Sequence, residues 1–361
     1  MSDNLKRFRA VRKALNKLYP NNPQGNLARH LNTLAAMISG IVGGKNTQLP
    51  KIAEKVPDGN QVESRVKRFS RFINNEKTKS ELYFLPFAES LLYNLSLETL
   101  VLIIDGSVVG RGCICLMVSV VYKGRALPIA WTVVKGNKGH LPEEAHIELV
   151  EQVKRLVPEK AEVVFLGDGE LDGINLQKIV TDYGWKYVFR TALSINIFWD
   201  TYEFKCDYLS SIIDTGEFIG VPDVLFTNDK YGPVMIICWW NKEHKNPIYL
   251  VTNMDSAEES CKYYSKRFKI ETLFSDQKSR GFKIDKSHYS EPERLSNLLI
   301  ASCLAYIWIV YLGALCMVNG WIKTIHRSDR CDLSLFQIGL RFLEHCLNEG
   351  LPIPVSFRMI N

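Results

Sequence analysis

The sequence has no cysteine pattern that binds zinc or builds a disulfide framework. Its nine cysteines are scattered along the chain, without a CxxC pair and without a histidine at zinc-ligand spacing. Isolated cysteines of this kind are typical of reduced thiols in a cytoplasmic protein. The pattern therefore excludes a zinc-finger protein and a small disulfide-rich secreted domain.

Export signals and repeated segments are also lacking. The first 20 residues carry cations but no apolar stretch of the kind found in secretory signals, so we expect no export. The chain has no internal repeat and no low-complexity segment. Its 361 residues, 46% hydrophobic and 23% charged, indicate a folded protein with two or three domains, or one large domain with an insertion.

Long uncharged runs are rare, and one alone is long enough to cross a bilayer. It covers residues 298–318, and its 21 residues include Ser302, Cys303, Tyr306 and Tyr311. These residues, and the lack of a second such run, favour a helix buried in the core over a transmembrane helix. We therefore expect no membrane contact.

Positive charge is concentrated toward the N-terminus. The net charge is +6, but residues 1–80 contain 16 Lys and Arg against five Asp and Glu, so the remainder is net negative. Cationic surfaces bind phosphates by releasing counterions, although basic helices also serve as solvated faces. The distribution favours a nucleic-acid partner.

Residues 1–98 show helical apolar spacing, and two of the predicted helices are joined by a Gly-containing turn. That arrangement resembles helix-turn-helix geometry, with a plain helical bundle as the alternative. The segment "ESRVKRFSRFINN" interleaves cations with Phe69 and Phe72, so an apolar face can pack while the cations face phosphates. The candidate DNA-binding cations are Arg65, Lys67, Arg68 and Arg71.

The pattern changes to strands after residue 98. The runs "LETLVLIID", "CICLMVSVVY" and "RALPIAWTVV" predict an antiparallel meander with a turn at Lys123-Gly124. Four elements are predicted after the meander: a helix, the strand "EVVFLGDGELDG", a second helix and the strand "KYVFRTA". Residues 193–255 are rich in short β-like pieces and predict an insertion. Helices resume at Ser256, a predicted N-cap with Glu259 three residues later, and continue to the end apart from a loop near 281–293.

The most unusual segment is "YYSKRFKIETLFSDQKSRGF", residues 263–282. Seven cations between residues 262 and 283 surround Glu271, and no Pro or Gly interrupts the segment before Gly281, which predicts one helix. On that helix Tyr264, Arg267, Glu271 and Lys278 would share a face about 60° wide. Ordinary i,i+4 surface pairing is the alternative.

Three carboxylates in this pattern meet the needs of a hard divalent cation. Asp105 and Asp168 end apolar strands, and Glu271 lies on the later helix. Mg²⁺ takes a few carboxylate oxygens and leaves positions open for phosphate and water. Two such ions could activate the attacking oxygen of a phosphodiester reaction and stabilise the leaving one. Asp172 is the alternative to Asp168, and Asp168 ranks first because it directly follows the strand.

These residues carry a resemblance to a known family. "DGS" at 105–107, "GDGELDG" at 167–173 and the spacing Tyr264-x2-Arg267-x3-Glu271-x6-Lys278 resemble the DDE transposases of the insertion-sequence-four family, with their Tyr-Arg-Glu-Lys signature. The resemblance covers nearly the whole chain. It implies an α/β fold with an RNase H-like core, meaning a mixed five-stranded sheet with flanking helices, which carries a β-rich insertion and follows an all-helical N-terminal domain.

The implied domains are a helical DNA-binding domain (1–98), the catalytic core in two parts (99–192 and 256–361) and the insertion (193–255). The implied activity is metal-dependent cleavage at the ends of an insertion sequence and strand transfer into target DNA. Asp105, Asp168 and Glu271 would hold two Mg²⁺ ions, with Mn²⁺ able to substitute. Tyr264, Arg267 and Lys278 would hold phosphates near the cut, although Tyr264 could instead be a packing residue.

The resemblance also implies partners and a location. These are double-stranded DNA, both as terminal inverted repeats and as target, a homodimer on paired ends, and the nucleoid in the bacterial cytoplasm. In this family a tryptophan of the insertion stacks on a flipped base, and Trp239 and Trp240 are the candidates, with burial as the alternative. The rival function is a catalytically inert, transposase-derived DNA-binding repressor.

Overall fold

Six helices form the N-terminal part, as the apolar spacing predicts. The computed structural model describes residues 2–19, 23–136, 141–243, 245–327 and 331–360. The helices are α1 (Asp3–Asn16), α2 (Gly25–Gly44), α3 (Leu49–Glu54), α4 (Val62–Ile73), α5 (Ser80–Tyr83) and α6 (Leu85–Leu95). Their apolar faces contribute buried residues such as Leu34, Ile38 and Phe69 to the core. Burial of this apolar surface holds the helices together.

The three predicted strands of the meander follow at once. They are β1 (Leu100–Gly110), β2 (Cys113–Tyr122) and β3 (Arg125–Lys135), and each pairs antiparallel with the next. The turn between β2 and β3 lies at Lys123 and Gly124, which have φ angles of 42° and 78°. Type I′ hairpin turns need this left-handed conformation at both central residues, and glycine adopts it without strain. The predicted meander and its turn are confirmed.

Two parallel strands extend the meander on its β1 side. The order along the chain is α7 (Glu143–Lys154), β4 (Val163–Gly167), α8 (Ile174–Asp182) and β5 (Lys186–Thr191), as predicted. Strand β4 pairs parallel with β1, and β5 pairs parallel with β4. This half of the sheet therefore has the order β3-β2-β1-β4-β5.

The predicted insertion continues the same sheet. Its strands are β6 (Asn196–Trp199), β7 (Tyr202–Lys205), β8 (Phe218–Phe226), β9 (Tyr231–Trp239) and β10 (Ile248–Thr252), with a short 3₁₀ helix at Cys206–Ile212. Strand β10 pairs antiparallel with β5, which gives a ten-stranded order of β3-β2-β1-β4-β5-β10-β9-β8-β6-β7. Strands β8, β9 and β10 match the sequence patterns, whereas the β6–β7 hairpin was not predicted.

The helices after the sheet differ from prediction in one important place. They are α9 (Ala257–Tyr264), α10 (Lys269–Gln277), α11 (Pro292–Val318), α12 (Ile322–Ile325) and α13 (Leu335–Asn348), with a 3₁₀ helix at Ile284–Lys286. The predicted N-cap is confirmed, because the Ser256 side chain accepts a hydrogen bond from the Glu259 amide at 3.2 Å.

The predicted single helix over residues 263–282 is wrong, because the chain tightens between α9 and α10. The amide of Arg267 donates to the carbonyl of Tyr264, and that of Ile270 donates to the carbonyl of Arg267. These are i→i+3 bonds, which wind the chain more tightly than an α-helix does. The helix also ends before Lys278, whose φ and ψ are −100° and −121°. The four signature residues therefore do not lie on one straight helical face.

Helix α11 forms the centre of the core. Within the part of the chain that the structure describes, it is the one helix long and apolar enough to span a membrane, and 89% of its most apolar window is buried inside the protein. Tyr306 and Trp308 are fully buried, and the indole of Trp308 donates to the carbonyl of Pro354 at 2.9 Å. Such burial is that of a core helix, as the sequence favoured.

Two polar contacts fasten α10 to the core. Arg125 of β3 donates to Asp276 at 3.2 Å, and both side chains are largely buried. Gln277 and Ser302 of α11 exchange hydrogen bonds, one from the Ser302 hydroxyl to the Gln277 side chain and one from the Gln277 amide to the Ser302 carbonyl. Burial raises the pKa of Asp276 to about 6, against the opposing effects of Arg125 and Arg280.

We predict that Gly339→Ala lowers the free energy of unfolding by about 2 kcal/mol or more, because overpacking typically costs 1–3 kcal/mol. Helices α11 and α13 approach so closely there that an added Cβ would lie 1.8 Å from the Ile309 carbonyl oxygen. Urea denaturation followed by circular dichroism would measure the change. Gly59→Ala is the control, because a Cβ there meets nothing within 4 Å, and equal losses in both variants would contradict the prediction.

We also predict that the Asp276 carboxyl makes folding less stable as pH rises from about 4 to about 6. Its folded pKa of about 6 lies above the unfolded value of 3.8. Between these pH values the folded chain keeps a proton on Asp276 that the unfolded chain has lost, and the resulting stabilisation disappears as pH rises through the folded pKa. The contribution is on the order of 1 kcal/mol. Urea midpoints of the unsubstituted chain and of Asp276→Asn, measured at both pH values, isolate this group. A difference between the two that does not change with pH would refute it.

Candidate active site

Two of the three predicted acids lie side by side because of strand register. In the parallel pair of β1 and β4, Ile104 stands opposite Gly167, so the next residues on the two strands are Asp105 and Asp168. Each carboxylate accepts a hydrogen bond from the amide of the glycine that follows it, at 2.7 Å for Asp105 and 2.8 Å for Asp168. The two Asp-Gly pairs therefore occupy matching positions on neighbouring strands.

The positions of the two acids differ in one respect from prediction. Asp168 follows the end of β4, as expected, but Asp105 lies inside β1, which continues to Gly110 and turns into β2. Asp105 is 4% exposed, whereas the side chain of Asp168 is 31% exposed. The expectation that both acids end their strands is wrong for Asp105, because β1 pairs with β2 well beyond this point.

The third acid, in the first turn of α10, is linked to the pair through Arg267. Glu271 has a side chain that is 53% exposed, so it approaches the aspartates from the solvent side. The tight turn before α10 places Arg267 between Glu271 and the two strands. The structure thus brings each of the three acids that the sequence selected into contact with the same arginine.

Arg267 is the centre of this cluster. Its Nη1 lies 3.6 Å from Asp105 Oδ2 and 3.7 Å from Asp168 Oδ2, and its Nη2 donates to Glu271 Oε1 at 2.9 Å. The residue is 5% exposed. Burial alone would lower its pKa, but Tyr264 and the three carboxylates raise the pKa above the usual arginine value.

Two nitrogen atoms of the Arg267 guanidinium donate no hydrogen bond within the described part of the chain. Among the described residues, Nε and Nη1 of Arg267 are buried and have no hydrogen-bond partner, because the aspartate oxygens are beyond hydrogen-bond length. Buried polar atoms usually find such a partner. The arginine is therefore held by charge more than by hydrogen bonds.

Tyr264 is a buried packing residue in this structure. It is 2% exposed, and burial raises the pKa of its hydroxyl. Next to it, the Phe268 ring is 41% exposed and lies 4.6 Å from Cζ of Arg267. An open cleft of about 340 Å³ begins here, and its lining includes Arg190, Lys245 and Arg267.

Lys278 lies on the other side of the cluster. Its Nζ donates at 2.6 Å to the hydroxyl of Ser107, two residues after Asp105 on β1. The lysine is half-buried, so its charge faces the strand that carries the most buried acid. Ser107 belongs to the "DGS" segment, so this hydrogen bond links Lys278 to the segment that contains Asp105.

Asp172, the alternative to Asp168, faces elsewhere. Its carboxylate accepts a hydrogen bond from the hydroxyl of Thr191 on β5 at 2.6 Å. Burial is the main cause that raises the pKa of Asp172, and the Thr191 hydrogen bond opposes it. This geometry favours Asp168 as the acid of the cluster.

The tryptophans of the insertion divide by exposure. Trp239 ends β9 and packs against the core, and Trp240 is half-buried. Trp199, which sequence reasoning missed, is 45% exposed at the turn of the β6–β7 hairpin. The alternating segment "NIFWDTYEFK", with polar residues at its centre, is the signal that could have identified this hairpin.

The four N-terminal cations do not share one environment. Arg65 and Arg68 of α4 both pair with Asp58, at 2.5 and 3.0 Å. Lys67 and Arg71 are exposed and lie four residues apart, on one face of the same helix. These two cations are therefore the pair that faces solvent.

Carboxylate oxygens are the ligands that Mg²⁺ prefers, and all three acids supply them. Among the described residues, no group of three or more His, Cys, Asp or Glu side chains is placed to hold a metal ion directly. The guanidinium of Arg267 lies between these carboxylates instead. Because the three carboxylates already surround one positive charge, the guanidinium, their charge and their oxygen ligands also suit a divalent metal ion.

Two solved structures are similar to the chain at low sequence identity. A piggyBac transposase in a synaptic complex with hairpin DNA has 11% sequence identity and a TM-score of 0.45, over 98% of this chain and 83% of that chain. Human ENDOV has 13% identity and a TM-score of 0.27, over 67% of this chain and 96% of that chain. No curated protein matches the chain.

The family comparison is more specific. A family model described as the transposase DDE domain matches residues 97–308, more than half of the chain. The matched region contains the three acids and Arg267. On this match, the chain belongs to the DDE-domain transposase family.

Proposed function

We propose that the chain is a cut-and-paste DNA transposase of the insertion-sequence-four type. It would hydrolyse DNA at the ends of an insertion sequence and join the freed 3′-hydroxyl to target DNA. One observation carries the proposal: Asp105, Asp168 and Glu271, which come from three separate elements, converge on Arg267 in a chain of the DDE transposase family.

The acids fit divalent metal ions, and Mg²⁺ is the ion that we propose, with Mn²⁺ able to substitute. Asp105, Asp168 and Glu271 would hold two such ions. When bound, the ions supply Lewis-acid activation of the attacking oxygen and stabilise the leaving oxygen of the phosphodiester. Asp105 is buried within a strand, so it would hold one fixed edge of the site, and the more exposed Glu271 would complete the site from α10.

The cations around the acids would bind and orient the DNA strand. Arg267 presents a planar fork that suits two phosphate oxygens, and Lys278 presents a point charge. Lys278 lies beside Ser107, close to Asp105 along β1, so we assign it to the phosphate at the cut. Tyr264 is buried and would support this arrangement by packing against it rather than by touching DNA directly.

The remaining parts of the chain have separate proposed roles. The half-sheet β3-β2-β1-β4-β5, with its antiparallel meander and two parallel strands, supports the RNase H-like core of the proposal. The helical part at 1–98 would bind the terminal inverted repeats. We propose a homodimer on paired ends that also binds target DNA, in the nucleoid of the bacterial cytoplasm.

A catalytically inert DNA-binding repressor is the second candidate. It would keep the basic N-terminal helices and lose cleavage. The convergence of three carboxylates favours the enzyme, because a repressor has no use for a cluster of repelling charges. Inverted repeats in the DNA that flanks the reading frame would identify the element and supply the substrate for both tests below.

We predict that Asp105→Ala, Asp168→Ala and Glu271→Ala each abolish strand cleavage while binding to DNA ends survives. Each variant removes a proposed metal ligand. Cleavage of a labelled end would be assayed in Mg²⁺ and Mn²⁺, with gel shifts on the same preparations. Asp172→Asn is the matched control, since this buried acid contacts Thr191, and it should still cleave. Cleavage by any of the three alanine variants would remove that residue from the site.

We predict that Lys67→Ala with Arg71→Ala weakens binding to DNA ends and lowers its salt dependence. Each phosphate contact that is lost should reduce the slope of log affinity against log salt by about 1. Lys278→Ala should instead depress cleavage and leave most binding to long ends intact. Gel shifts at several salt concentrations, run beside cleavage assays, distinguish these roles. Proportional losses of binding and cleavage in Lys278→Ala would contradict its local role.

A further inference from the structure

Arg267 is placed where phosphate binding does not explain it. A residue that served DNA alone would point its guanidinium outward, but Arg267 is 5% exposed and contacts all three carboxylates. Its Nη1 lies almost equally far from the two aspartates, at 3.6 and 3.7 Å. The side chain thus occupies the space between the acids.

Electrostatics gives this position a reason. Like charges brought close together in a protein repel each other, and burial of an unpaired charge is costly. Asp105 is the acid least able to gain relief from water, because it is 4% exposed. One guanidinium that touches all three acids offsets their repulsion without any bound ion.

We propose that Arg267 is the resident counter-ion of the acid cluster and that divalent metal ions must displace its guanidinium in order to bind. The proposal rests on the proposed function, because metal ions are expected at these acids only if the cluster is the catalytic centre. Arg267 is here a positioning residue, which keeps the three carboxylates converged until the ions arrive.

The displaced side chain has a place to go. The cleft of about 340 Å³ beside the cluster is lined by Arg267 itself, Phe268 and Lys245. The Phe268 ring already lies 4.6 Å from Cζ of Arg267 and can keep contact with the cation through its face. We expect a change of rotamer to move the guanidinium into this cleft, where its planar fork becomes available to phosphate oxygens. Metal loading and the capture of a DNA phosphate would then be coupled through one side chain.

Mn²⁺ binding to the full-length chain without DNA tests the exchange. Electron paramagnetic resonance measures free Mn²⁺ during a titration, so the readout does not require cleavage. Arg267→Met keeps similar bulk and removes the competing charge, so it should bind Mn²⁺ about tenfold more tightly than the unsubstituted chain, within the range typical of coupled equilibria. An equal or weaker affinity in Arg267→Met overturns the proposal.

Arg190→Met is the matched control. Arg190 lies 4.0 Å from Asp168 and its side chain is 48% exposed, so it approaches one acid from the solvent. Its replacement should change the Mn²⁺ affinity less than about twofold, given how weakly exposed ion pairs interact. Equal tightening in both variants would show a general effect of lost positive charge and would overturn the specific role of Arg267.

A measurement on the unsubstituted chain covers the case in which Arg267→Met does not fold. Phenylglyoxal modifies guanidinium groups that solvent can reach, and peptide mass spectrometry reports the rate at each arginine. Saturating Mn²⁺ should raise the modification rate of Arg267 severalfold, because the guanidinium leaves its buried position. Arg29, exposed on α2, is the reference and should react at an unchanged rate. A rate at Arg267 that stays constant or falls with Mn²⁺ overturns the proposal.

Failure of this inference and failure of the proposed function give different results. If Asp105→Ala, Asp168→Ala and Glu271→Ala all still cleave DNA, the proposed catalytic centre is wrong whatever Arg267 does. If the acids prove essential for cleavage while Arg267→Met binds Mn²⁺ no more tightly, the enzyme assignment stands and the counter-ion role alone is lost.

Discussion

The contact of one guanidinium with three carboxylates is the constraint on which the site depends. Three acids around one guanidinium repel each other, and the cost is highest for the one that lies inside a strand, Asp105. The fold brings the acids together by unrelated means: strand register for Asp105 and Asp168, and a tight turn before α10 for Arg267 and Glu271. The charge at the centre offsets the repulsion between the acids that these two devices bring together, because removal of one partner from a buried ionic group leaves the others uncompensated.

The three acids are held by different kinds of contact. Asp105 is held by a strand that pairs on both sides, whereas Glu271 belongs to a nine-residue helix. That short helix is fastened at its C-terminal end, through Asp276 to β3 and through Gln277 to α11. Its N-terminal end, which carries Glu271, follows a tight turn. The site therefore has one edge inside the sheet and one edge at the start of a short helix.

Much of this could be predicted from the sequence, and the failures have physical causes. Apolar runs that end in "DG" located Asp105 and Asp168, since neighbouring parallel strands bring such corners together, and the cations around Glu271 marked the third acid. The break between α9 and α10 was missed because i→i+3 bonding needs no Gly or Pro and leaves no composition signal. The inward direction of Arg267 was missed for a related reason. Helical geometry predicts which residues share a face, but it does not predict whether a long arginine side chain points toward solvent or toward buried acids.

Helix α11 has a consequence for the order in which the chain can fold. Asn297 donates to the carbonyl of Ile73 in the N-terminal helices, the indole of Trp131 on β3 donates to Ser296, and Ser302 binds Gln277 of α10. During synthesis these three earlier segments leave the ribosome before the helix that they all pack against. Their apolar faces stay exposed to water until residues 292–318 have been made, a state that favours aggregation. A chain interrupted before that point would leave the helical part and the sheet uncovered together, so a truncated product is expected to be lost as a whole rather than to persist as a separate DNA-binding fragment.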